Sequence, residues 1–187
     1  DRLREMIQNL TAEARSTKVD LPSDRPLKAL ILPHAGYIYS GLTAAHAVHA
    51  LEGRSFAKVV LMGPDHRIGI QNAAVSSASA YATPLGRIAI HPDARKLKSS
   101  SRFFRAMPEA DQGEHSLEVV LPFLQTFLAD FELVPIIFGR TEISQSAKAI
   151  EPLLGPDTLL VVSTDLSHYL PQEQARKRDR ETIRMIL

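Results

Sequence analysis

Apolar positions in this chain follow two patterns. The first is the short, nearly unbroken run, found at residues 27–32, 56–62, 132–138 and 158–163. Such runs are too short for buried helices and do not alternate in polarity, so they predict strands covered on both faces. The second pattern is the helical stripe. Leu3, Met6, Ile7 and Leu10 predict a helix over 1–15, and Leu42, Ala45, Val48 and Leu51 predict one that starts at Ser40 or Gly41. Leu117, Val120, Leu121, Leu124 and Leu128 predict another, beginning at Glu114-His115-Ser116, with Pro122 kinking or restarting it. Further helices are expected over 92–99, over 142–153 up to the stop at Gly155-Pro156, and from Pro171 to the end. Between them, 73–78 and 86–90 flank Thr83-Pro84-Leu85-Gly86 and read as a hairpin-like excursion, 21–26 reads as a connector, and 102–111 reads as irregular. Strands alternating with helices predict an α/β fold with a mostly parallel sheet.

Three of the apolar runs deliver a histidine shortly after they end: His34 in Pro33-His34-Ala35-Gly36, His66 in Gly63-Pro64-Asp65-His66, and His168 in Asp165-Leu166-Ser167-His168. In open α/β sheets ligands sit at the carboxyl ends of the strands, so these residues and Asp165 are expected to converge. Gly36 and Gly41 are expected to supply backbone freedom in the turn after His34. His34 and His66 are the leading metal-ligand candidates, because neutral imidazole is the commonest side-chain ligand. Two histidines plus one carboxylate and open positions suit ferrous iron and oxygen chemistry, whereas a single open position suits zinc and water activation. Asp165 with His168, and Glu114 with His115, supply acid–base candidates, since a carboxylate beside an imidazole fixes its tautomer. A helix start at His115 would also favour an anionic group. Tyr37, Tyr39 and Tyr169 are expected to line the pocket and donate hydrogen bonds.

Any one of these histidines alone is more often a loop residue bonded to backbone. Asp165-Leu166-Ser167 also reads as a turn and cap, Glu114 as a complement to a helix dipole, and Asp65 as a turn former. His46, His49 and His91 read as surface, packing or loop residues. Composition narrows the choice. The 187 residues carry a formal net charge of +1 and no cysteine. That removes a disulfide framework, a thiolate ligand and a nucleic-acid or membrane electrostatic footprint. No apolar run approaches the roughly 20 residues of a membrane helix. The chain opens at Asp1 and closes at Leu187 inside helical patterns, so an N-terminal segment and a C-terminal part are expected to be missing.

These blocks together resemble the Memo family, whose prokaryotic form is often called AmmeMemoRadiSam system protein B. The resemblance rests on residues 33–41, on Gly63-Pro64-Asp65-His66 and Thr83-Pro84-Leu85-Gly86, and on Glu114-His115-Ser116-Leu117-Glu118 with Leu121-Pro122-Phe123. It continues through Val134-Pro135 and Ser163-Thr164-Asp165-Leu166-Ser167-His168-Tyr169. It implies a single domain built as a three-layer α/β/α sandwich, similar to class III extradiol-type non-haem iron dioxygenases. It implies that His34 and His66 bind iron or copper, with zinc as a further option, and that Asp165, His168 and His115 line the same cleft. The family's third ligand is a cysteine in a C-terminal stretch that this chain does not contain. At Val120 relatives often carry a polar residue, so that helix face is left to packing.

A eukaryotic relative is linked to signalling, motility and phosphotyrosine-peptide binding, and prokaryotic members keep genomic company with a radical-SAM protein. The expectation is therefore a cytoplasmic, metal-dependent redox enzyme. In it, His168, oriented by Asp165, moves protons for a small molecule or peptide. The rivals are a non-catalytic peptide- or phosphopeptide-binding scaffold, for which Arg67 and the tyrosines are available, and a zinc-dependent hydrolase.

Overall fold

A computed structural model describes residues 2–16, 25–100 and 102–187. In chain order its elements are α1 (Arg2–Arg15), β1 (Ala29–Leu32), α2 (Tyr37–Val48), β2 (Lys58–Pro64), β3 (Ala73–Val75), β4 (Ala80–Thr83) and β5 (Gly86–Ala89). They continue with α3 (Pro92–Ser100), β6 (Phe104–Ala106), α4 (Pro108–Asp111), α5 (Leu121–Phe127), β7 (Glu132–Phe138), α6 (Ile143–Ile150), β8 (Thr158–Ser163) and α7 (Gln172–Ile186). Of the expected connector over 21–26, residues 21–24 lie outside the described residues.

Six strands form the main sheet in the order β1-β8-β2-β7-β3-β6. The β1, β8, β2 and β7 ladders are parallel, β3 runs antiparallel to β7, and β6 runs parallel to β3. Helices flank this sheet in a three-layer α/β/α sandwich, the architecture expected from the alternation of apolar runs and stripes. The apolar runs form its centre: Leu32, Leu61, Leu133, Ile136 and Leu159 are fully buried. Ile7, Val48, Leu51, Leu121 and Leu124 are among the fully buried side chains that the helical segments turn toward that core. Among the described residues no helix is long and apolar enough to cross a membrane.

Several local expectations are corrected. The hairpin is β4–β5, closed by Pro84-Leu85, while residues 73–75 join the main sheet instead. Residues 102–111 are not irregular: they hold β6 and the single turn α4. Helix α2 starts at Tyr37, because the Gly36 carbonyl already accepts the Tyr39 and Ser40 N–H groups. Gly36 keeps a φ of −55°, and Gly41 sits inside α2, so neither supplies left-handed backbone. Gly41 serves packing instead, since a Cβ there would stand 2.8 Å from the Leu10 side chain of α1. The stripe from Leu117 is not one helix. Residues 116–120 are turns and α5 begins at Leu121, with Pro122 in its first turn, where the missing N–H costs nothing.

Register aligns the strand ends. Leu32 pairs with Ser163 and Met62 with Val162. His34 lies two residues beyond Leu32, Asp165 two beyond Ser163, and His66 four beyond Met62. All three therefore emerge at the same edge of the sheet.

Candidate metal centre

The strand-end loops bring three imidazoles together. The rings of His34 and His66 are 5.2 Å apart, those of His34 and His115 5.8 Å, and those of His66 and His115 5.0 Å between centroids. Imidazoles sharing one ion, with metal–nitrogen bonds near 2.1 Å, place their ring centres about 5 Å apart. Ligand-capable atoms of His66, Glu114 and His115 lie within 4.8 Å of one another.

Glu114 is nonetheless already committed. Its Oε1 accepts the His66 Nδ1–H (3.0 Å) and the His115 and Ser116 backbone N–H groups (both 2.8 Å), and its Oε2 accepts the His66 backbone N–H (2.8 Å). Burial opposes the charge on this 5%-exposed residue, but these donors outweigh it and hold the carboxyl at about 2. Glu114 is thus an orienting carboxylate. It caps no helix, so the expected anion site at a helix start is not present. A Cβ on Gly63 would stand 2.8 Å from Ser116 Oγ, so that glycine lets the Glu114–Leu117 turn lie directly against β2.

Hydrogen-bond direction fixes the tautomers. Since a carboxylate only accepts, His66 Nδ1 carries its proton and Nε2 is left with the lone pair. At His34 the chain is longer. The Ser163 hydroxyl donates to the Ser116 carbonyl, so Ser163 Oγ accepts from His34 Nδ1–H at 2.9 Å, and again Nε2 is free. His34 is 3% exposed, and its pKa is lowered by burial, against the pull of Asp165 and with the help of His66 and His115. It therefore stands neutral near pH 7, the form that binds metals.

Asp165 links the β1 and β8 corners. Its Oδ1 accepts the backbone N–H groups of His34 (2.9 Å) and Ala35 (3.3 Å). Its Oδ2 lies 3.8 Å from both His34 Nε2 and His168 Nε2, which is beyond hydrogen-bond reach. The His168 ring is set by Nδ1–H donation to the Leu166 carbonyl, so its basic Nε2 faces the Asp165 carboxylate. The Ser167 N–H is tied to Asp179 of α7, and Tyr169 closes the loop with a φ of +57°.

Asp65 forms the turn behind His66, its carboxylate accepting the N–H groups of Arg67, Ile68 and Ile70. Of the tyrosines, Tyr39 and Tyr169 depart from expectation. The Tyr37 hydroxyl donates to the Val119 carbonyl and its pKa is pushed up to about 12 by burial, whereas Tyr39 and Tyr169 project into solvent. Val120 is buried, in keeping with a packing role.

The profile of the Memo-like protein family matches residues 1–187. This chain belongs to the Memo family. Among its Memo relatives, a MEMO1 family protein of Aquifex aeolicus is 40% identical over 158 residues, covering 81% of this chain and 58% of that protein. One from Methanobrevibacter smithii is 37% identical over 165 residues (84% and 58%), and one from Archaeoglobus fulgidus 35% over 173 residues (88% and 64%). The Memo chain described here thus spans 58–64% of the length of these relatives.

Sequence reasoning placed His34, His66, Asp165 and His168 past the strand ends and His115 in the same cleft; the structure gathers the rings of His34, His66 and His115, sets Asp165 against the His34 turn, and puts His168 beside Asp165. It missed the contributions of Ser163 and Ser116. A polar residue ending the apolar run 158–163 was the signal for Ser163. Glu114 was noticed only as a neighbour of His115, although its main imidazole partner is His66, 48 positions away.

Proposed function

We propose that this cleft holds one iron or copper ion on the Nε2 atoms of His34 and His66, and that the protein uses it in oxidation–reduction of a small molecule or peptide. The observation that carries the reading is the pair of directed hydrogen bonds, His66 Nδ1–H to Glu114 and His34 Nδ1–H to Ser163, which leave both lone pairs free for a metal. Nitrogen donors from a chain without cysteine fit iron and copper as well as zinc. When bound, iron or copper would supply electron transfer to or from the substrate.

The chain's own residues handle position and protons. His115, its side chain half exposed, stacks on His66 at the cleft rim and is within reach of either the ion or a substrate. His168 Nε2 faces Asp165 Oδ2 across 3.8 Å and is the group placed to relay a proton for a bound molecule. The Asp165 backbone contacts keep that carboxylate fixed against the His34 turn while the proton moves.

The test is metal analysis of protein purified anaerobically without a histidine tag. Near-stoichiometric iron or copper is expected. Zinc would redirect the reading to hydrolysis, and failure to retain any metal after reconstitution would leave the cleft as a binding scaffold.

A further inference from the structure

A cavity of about 380 Å³ opens beside the histidines, with His115 in its wall. Its volume is at the small end of the roughly 300–1,000 Å³ typical of small-molecule pockets. Four parts of the chain build it: Leu3 of α1, Gly36 and Tyr37 at the start of α2, Ala82 to Pro84 of the β4–β5 hairpin, and the stretch from His115 to Pro122. Its walls are mostly apolar. The polar groups that line it are largely spent. Tyr37 donates to the Val119 carbonyl, and the Thr83 hydroxyl is engaged with Gln125, the Gly86 carbonyl and the Leu85 N–H.

That leaves His115 and Glu118 to meet a ligand. Among the described residues Glu118 has no hydrogen bond or ion pair, and no lysine or arginine lines the cavity. Two more carboxylates act on it. Asp111 is held by the neutral hydroxyls of Ser76 and Tyr81, and Glu114 by the donors described above. Burial, then Asp111 and Glu114, push the Glu118 carboxyl above its ordinary value, against the opposing pull of His115. An anionic ligand entering here would meet repulsion from the carboxylates and find no lysine or arginine, only the His115 imidazole. A cationic one would pair with the Glu118 carboxylate, which is exposed and has no protein partner among the described residues.

We propose that this cavity is the substrate pocket of the histidine cleft and takes a small organic amine, its ammonium on Glu118 and its apolar body against Leu3, Tyr37, Pro84 and Pro122. This rests on the metal-site reading only for what the ligand is held next to. Binding is therefore tested on chelator-treated protein, where failure of the metal assignment does not alter the result. The probes are phenethylamine and phenylacetate, which share a ring and chain but carry opposite charges, titrated by protein-observed NMR.

Phenethylamine is expected to shift the amides of Tyr37, Thr83 and Glu118 and to bind about tenfold tighter than phenylacetate, attraction and repulsion both adding to the ratio. Glu118→Gln should bring the two probes within about twofold, and Glu118→Lys should reverse their order. An unchanged thermal midpoint in both variants confirms that the fold is kept. Equal binding of the two probes, tighter binding of phenylacetate, a charge preference that survives Glu118→Gln, or no shift with either probe would each overturn the proposal. Tighter binding of the anion would point to an acidic or phosphorylated peptide instead.

Discussion

The His34 and His66 corners reach one end by opposite means. His34 is buried and relies on neutral groups, its Nδ1 proton passing to a serine hydroxyl that is itself spent on a carbonyl. His66 is 37% exposed at its side chain and relies on a buried carboxylate that also gathers three backbone N–H groups. A carboxylate partner raises imidazole basicity, whereas a hydroxyl leaves it low. The cleft combines a half-exposed imidazole at its mouth, oriented by a charged group, with a buried one inside, oriented by neutral groups. The difference shows that burial and charge are alternative ways of fixing a tautomer, and that they fail under different conditions.

The largest effect that separates the corners from the rest of the cleft is ligand removal. His34→Ala and His66→Ala should each abolish metal retention after dialysis, while His168→Ala leaves it unchanged. Elemental analysis beside a circular dichroism spectrum checks both statements, and equal retention in all three variants would dissolve the comparison. Next is Glu114→Ala, which strands four donors in a buried turn and should cost on the order of 3 kcal/mol in chemical denaturation. Glu114→Gln should be milder for stability and still lower metal affinity about 10- to 100-fold.

Acid should distinguish the corners in chelator-treated protein. The folded pKa of His34 lies below 6.5, so its contribution is complete above 6.5 and is lost as pH falls through its lowered value. Glu114 is depressed from 4.5 to about 2, so its contribution is complete above 4.5 and is lost only as pH falls toward about 2. Denaturation midpoints against pH should show two successive declines, and Glu114→Gln should lack the lower one. The smallest expected effect is that of Ser163→Ala, which removes one neutral hydroxyl, the acceptor for His34 and the donor to the Ser116 carbonyl. It should cost about 1 kcal/mol and roughly tenfold in metal affinity, less than any change at Glu114.

What could be read from sequence divides along the same physical line. Continuous apolar runs made β2, β7 and β8 visible, and their ends located His66, Asp165 and His168 before any coordinates. The three-residue strand β6 left no trace and β3 read as one side of the hairpin, because their place in the sheet is decided by backbone pairing with β7 and with each other. The stripe from Leu117 to Leu128 looked like one helix because buried turns and helices share apolar spacing, and only Pro122 hinted that α5 starts late. The partners of His34 and His66 were hidden because they come from 129 and 48 positions away, where no local pattern records them. Glu118 was visible as a residue of a recognised block, but its place in the cavity wall without a partner among the described residues is seen only in the folded chain.

The pairing of Leu32 with Ser163 has a consequence for how this chain can change. It works like a vernier scale: His34 and Asp165 meet only because each is the same number of steps past a matched pair. One residue inserted within β1 would turn every later side chain of that strand to the opposite face. The sheet could re-pair and remain folded, yet His34 would leave the cleft. Length variation across related chains should therefore collect in the segments between the strands and helices, and β1, β2 and β8 should keep a fixed count even where their side chains are exchanged freely.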